Sequence, residues 1–93
     1  MSQELVDNTA KSRYEFSAEG ALSFIDYRRS PGVIALTHAE VPSQLEGRGI
    51  GSRMARAVLD AIRATGDKVL PQCSFVAAFI RRHPEYQDMV ATR

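Results

Sequence analysis

The chain reads as an α+β domain in which an antiparallel strand meander is followed by helix, strand and helix, in the order β-β-β-α-β-α. Three observations predict this. Residues 13–40 alternate apolar and polar side chains, broken by the turn signals Ala18-Glu19-Gly20 and Ser30-Pro31-Gly32. Residues 50–62 then change to helical spacing. Beyond them a short apolar run, Val69-Leu70-Pro71, precedes a second helical segment.

Residues 1–10 show no clean period and read as a partly ordered arm, leaving 11–93 as a single domain. Arg13-Tyr14-Glu15-Phe16-Ser17 is a short strand. Residues 21–28 form the next, with Leu22 and Phe24 on one face and Ile25 and Tyr27 on the other. Val33 to Glu40 is the third, and Pro42-Ser43 closes it. In the first helix Ile50, Met54, Ala57, Val58, Ala61 and Ile62 make one apolar stripe. Ser52, Arg53, Arg56, Asp60 and Arg63 fall largely on the other side, and Gly66 is a natural stop. Residues 69–71, reached through a crossover helix, should lie parallel to the third strand. Ser74 can cap a second helix over residues 75–82, which His83-Pro84 ends.

Composition narrows the function classes. The 93 residues carry a net charge of +1, which argues against nucleic acid as a partner. No apolar run reaches the ~18 residues of a membrane span, and the N-terminus lacks the apolar core of a signal peptide. The single cysteine, Cys73, has no internal partner for a disulfide. These features predict a cytoplasmic chain, a monomer or weak dimer, that needs neither membrane nor metal.

The stretch Gln44-Leu45-Glu46-Gly47-Arg48-Gly49-Ile50-Gly51 carries the chemistry. Glycines at alternate positions let backbone approach a ligand and take positive φ. The helix that follows aims its unpaired N–H groups and positive dipole end into the same loop. Together they suit a phosphate or pyrophosphate. No Gly-Lys-Ser/Thr closes a Walker loop, and Gly47-x-Gly49-x-x-Ser52 lacks the third glycine of a dinucleotide fingerprint.

The spacing Gln44-x-x-Gly47-x-Gly49 instead resembles the acyl-CoA pyrophosphate loop of the GNAT N-acetyltransferase superfamily. His38-Ala39-Glu40-Val41-Pro42, Pro71-Gln72-Cys73-Ser74-Phe75-Val76 and Arg82-His83-Pro84-Glu85-Tyr86 extend the likeness to its minimal, stand-alone YjdJ-type branch. One departure is Glu46, where many relatives carry Arg or Lys. The chain is also shorter than a full GNAT domain and lacks the N-terminal helices that wall the acceptor site, so the acceptor side should be open.

The resemblance implies acetyl transfer from acetyl-CoA to an amine, on a small molecule or on a protein or peptide. The alternative is a CoA-binding module with little or no turnover. It also implies a splayed parallel strand pair holding the pantetheine arm. Main-chain N–H groups of Gly47, Arg48, Gly49, Ile50, Gly51 and Ser52 would hold the diphosphate. Arg48 and Arg53 would add charge, with Val41 and Phe79 alongside. His38 shares the parity of Ile34 and Leu36 and so is expected on the apolar strand face; with Glu40 two residues on, either is a candidate base. Cys73, just before a helix start, is a candidate nucleophile or a core thiol, and pairing with His38 would make it a Cys–His arrangement. Tyr86 is a candidate proton donor to the leaving thiolate or a packing residue.

Overall fold

The first half of the chain forms four antiparallel strands. In the computed structural model, which describes residues 4–45 and 47–91, these are β1 (Glu4–Asn8), β2 (Arg13–Ala18), β3 (Ala21–Ser30) and β4 (Val33–Glu40). Helix α1 (Ile50–Thr65) crosses over to β5 (Lys68–Pro71), which pairs parallel to β4. The sheet order is β1-β2-β3-β4-β5. Helix α2 (Ser74–Arg82) and a 3-10 segment (Pro84–Met89) complete the fold.

β1 lies within the residues expected to form an arm. Leu5 and Val6 are adjacent, so the segment has no visible alternation, yet Leu5 pairs with Phe16 and Asp7 with Tyr14. Asp7 anchors it by accepting from the Tyr27 hydroxyl and from Arg29 Nη2 at 2.9 Å.

One face of the sheet is apolar. Tyr14, Phe16, Ile25, Tyr27, Ile34, Leu36 and Val69 are buried there. Against them pack Met54, Val58, Leu59 and Ile62 of α1, and Val76, Phe79 and Ile80 of α2. Each fully buried large side chain contributes roughly 1.5–3 kcal/mol. The α1 stripe is rotated from expectation: Ala55 and Leu59 are buried, whereas Ala57 and Ala61 are half-buried. Gly66, with φ 84°, ends α1 and donates its N–H to the Arg63 carbonyl at 3.1 Å.

Two local expectations change. Cys73, not Ser74, is the residue before the first turn of α2, and its carbonyl accepts from the Ala77 N–H at 3.0 Å. The second change is in β4. Asp26 pairs with His38 but Tyr27 with Leu36, so Thr37 is an extra residue in a β-bulge. A one-residue insertion reverses facing, which turns His38 away from the core side that Ile34 and Leu36 occupy.

The end of the chain straps α1 to the sheet edge. The Tyr86 hydroxyl donates to Asp60 Oδ1 at 2.7 Å, Arg63 pairs with Asp88 at 3.0 Å, and the Ala91 N–H donates to the Val69 carbonyl at 2.8 Å. Inside, Ser23 is fully buried and, among the described residues, its hydroxyl has no hydrogen-bond partner. Burying an unpaired hydroxyl costs about 1–3 kcal/mol. Ser23→Ala should therefore be neutral or stabilising, by up to about 1 kcal/mol, in urea unfolding.

Stability should depend on pH at both extremes. Burial holds Tyr14, Tyr27 and Tyr86 above their ordinary value of 10.0. The folded state thus retains these protons more tightly, and the stability this adds is complete below about pH 10 and lost as pH rises through the folded values. Arg13 lowers Glu15, Arg63 lowers Asp88, and a backbone N–H lowers Glu85. Their contribution is present above the ordinary carboxylate range and lost as pH falls through the depressed values. Urea midpoints should stay level between about pH 5 and 9.5 and fall on either side.

Candidate active site

The β4–β5 ladder ends at Leu36 opposite Pro71. Proline has no N–H to extend it. The Gln72 N–H turns back to the Leu70 carbonyl at 2.9 Å, and the Cys73 N–H makes the last link, to the Leu36 carbonyl at 2.8 Å. From there α2 departs while β4 runs on to Glu40 without a β5 partner. The strands therefore splay.

Beside the gap lie two adjoining depressions of about 470 and 240 Å³, which share Val41 and Phe75. Ala39 and Glu40 line the larger one. Leu45, Gly47, Gly49, Ile50, Gly51 and Ser52 line the smaller. The groove thus runs from the open end of β4 to the glycine loop.

Within the loop the glycines divide their work. Gly47 (φ 83°) and Gly49 (φ 73°) adopt left-handed backbone, and a Cβ on either would meet nothing within 4 Å. They shape the loop and leave its outer side open. Gly51 is helical and serves packing, because a Cβ there would lie 2.8 Å from Phe75 Cζ and 3.6 Å from Val41 Cγ2. The Arg48 N–H donates to the Leu45 carbonyl at 3.3 Å, and the Arg53 N–H to the Gly49 carbonyl at 3.1 Å. Among the described residues, none accepts from the N–H groups of Ile50, Gly51 or Ser52, the first-turn donors of α1. All three residues line the smaller depression, at the positive end of the helix dipole. Glu46 lies outside the described residues.

Arg48 and Arg53 stand beside these amides and both meet Glu19 from the β2–β3 turn. Arg48 Nη1 is 2.8 Å from Glu19 Oε1, and Arg53 Nη2 is 3.5 Å from Oε2. No sequence signal announced this partner. The turn was legible, but which loop it faces was not.

The candidate catalytic side chains are not gathered as expected. The bulge leaves His38 exposed on the outer face, where its Nε2 lies 2.8 Å from Glu40 Oε2. The His38–Glu40 pairing read from their spacing is present, whereas burial of His38 on the apolar face is overturned. Cys73 is buried in the core cluster, and among the described residues its thiol has no hydrogen bond to His38. Phe79, expected alongside the cofactor, is fully buried and stacks on His83 with ring centroids 3.9 Å apart. Phe75 lines the groove in its place. Both phenylalanines sit at helical spacing on one apolar stripe, and only the splay decides which one meets solvent. The Tyr86 hydroxyl, donating to Asp60 and accepting from Arg56 at 3.2 Å, is a structural tie.

The contact between Gly51 and Phe75 is testable. Gly51→Ala should destabilise by about 1–2 kcal/mol in urea unfolding, because overpacking outweighs the ~1 kcal/mol helix-propensity gain. In a Phe75→Ala background the same change should become neutral or stabilising, which a double-mutant cycle would read.

Comparison with known proteins agrees with this architecture. Residues 13–89 match the model of the GCN5-related N-acetyl-transferase family. The fold is similar to the solution NMR structure of a GCN5-like protein from Staphylococcus aureus, with a TM-score of 0.72 and 25% sequence identity over 97% of this chain and 89% of that one. The protein NATD1 of Bos taurus is 31% identical over 52 residues, which are 56% of this chain and 46% of that protein. The match thus spans less than half the length of that relative. With a glycine loop opening a helix beside a splayed parallel strand pair, the chain belongs to the GCN5-related N-acetyltransferase family.

Proposed function

We propose that the chain catalyses acetyl transfer from acetyl-CoA to an amine. The observation that carries this reading is a groove that runs from the open end of β4 to the first turn of α1, where none of the described residues accepts from the N–H groups of Ile50, Gly51 or Ser52. The open side of Gly47 and Gly49 fits the close approach of a diphosphate. When bound, acetyl-CoA supplies an activated acetyl thioester.

The chain's own residues supply the rest. The first-turn amides and the guanidinium groups of Arg48 and Arg53 hold the diphosphate. Val41 and Phe75 form the apolar floor on which a pantetheine arm lies. Glu40 lines the larger depression and hydrogen-bonds His38. With Nε2–H donated to Glu40, His38 Nδ1 would take the proton from the acceptor's ammonium and pass it to solvent, freeing the amine lone pair to displace CoA from the acetyl carbon, the C–S bond breaking and CoA leaving as its thiolate. Exposure of His38, Glu40 and Leu22 on the outer face favours a bulky acceptor, such as an amine on a peptide.

A second reading is binding of CoA without turnover. It is favoured by the exposure of His38 and by the Cys73 thiol, which has no base bonded to it among the described residues.

Amide-shift NMR titration with CoA and acetyl-CoA tests the cradle. Shifts should cluster at residues 47–52, Val41 and Phe75, and a scattered or absent response would overturn the reading. Turnover against a panel of peptide amines separates the two functions. His38→Ala should lower kcat about 100-fold while leaving CoA affinity within about twofold. Wild-type protein that binds CoA yet acetylates nothing in the panel would leave the binding-module reading.

A further inference from the structure

The turn between β2 and β3 consists of Glu19 and Gly20, both with positive φ, 53° and 78°. Such two-residue turns favour Asn, Asp or Gly, whose side chains tolerate left-handed backbone. Glutamate gains nothing from that conformation. A non-glycine residue held there points to work done by its side chain.

The carboxylate reaches across 29 residues of sequence to the start of α1. It is shared between Arg48 at 2.8 Å and Arg53 at 3.5 Å, the two cations beside the first-turn amides of α1. The arginines farther along α1 are committed elsewhere, Arg56 to Glu85 and Arg63 to Asp88. All three members of the Glu19 cluster are substantially exposed, so their pairing is solvated and adds little net stability.

We propose that Glu19 is an intramolecular anion that holds the arginine pair of the cradle and that a phosphorylated ligand must displace. The inference rests on the reading of residues 47–52 as a diphosphate cradle. A phosphoanhydride carries several charges and more acceptor oxygens than one carboxylate, so it can take both guanidinium groups and the helix amides together. A weak monoanion gains too little to compete. Glu19 thus sets a threshold that selects polyanionic ligands.

Isothermal titration of the full chain with CoA, and separately with inorganic pyrophosphate, tests this. Glu19→Gln keeps length and removes charge, and Glu19→Asn, suited to the turn, repeats the arm should the first variant fold poorly. Removing Glu19's charge should tighten both probes about three- to fivefold. The gain should vanish in an Arg48→Gln/Arg53→Gln background. Equal or weaker binding by the Glu19 variants overturns the proposal, as does a gain that survives loss of both arginines. If CoA binds wild type and variant alike, only the competition falls. If CoA binds neither but pyrophosphate tightens, the competition stands and the CoA reading falls. Binding of neither probe to any variant sinks both.

Discussion

Where β4 and β5 stop pairing, every other feature of the groove takes its place. Four residues of parallel ladder end at Pro71, which cannot donate, and the chain folds back through the Gln72 N–H onto Leu70. A single hydrogen bond from Cys73 to the Leu36 carbonyl then fixes the start of α2. Because that helix leaves the sheet at this point, the last part of β4 is left beside open space. A fifth or sixth rung would have closed it. A loss of pairing that would be a defect elsewhere in a sheet here opens the groove.

The glycine loop meets that space through two different uses of a missing side chain. Gly47 and Gly49 provide left-handed backbone and an uncovered outer surface. Gly51 instead lets α1 sit against Phe75 and Val41, the two side chains common to both depressions. Packing and the shape of the groove are therefore coupled. The contact that seats the helix also shapes the wall between the cradle and the gap.

Charge is distributed with similar economy. Arg53, Arg56 and Arg63 of α1 meet three different carboxylates, Glu19 near the helix start and Glu85 and Asp88 farther along. The later contacts belong to a strap that includes the Tyr86–Asp60 hydrogen bond and covers the β5 edge through Val90. At the cradle end, a comparably exposed pair is borrowed instead from the β2–β3 turn.

Most elements were legible from local pattern because each rests on local physics. Period-two alternation, Gly-containing turns, a helical stripe and the Gly66 stop located three strands, both helices and the parallel crossover. The GNAT-type loop was legible for the same reason, since its glycines lie within five residues of one another. What escaped depends on long-range geometry. β1 shows no alternation and exists because β2 offers it an edge. The bulge at Thr37 depends on how β4 registers with β3, and it alone sends His38 outward. Whether Phe75 or Phe79 faces the groove, and whether Arg48 stands free or against Glu19, is settled by which elements the closed fold brings together. Sequence pattern encodes what each segment prefers next to its own neighbours, and only tertiary packing chooses the distant surface each side chain meets.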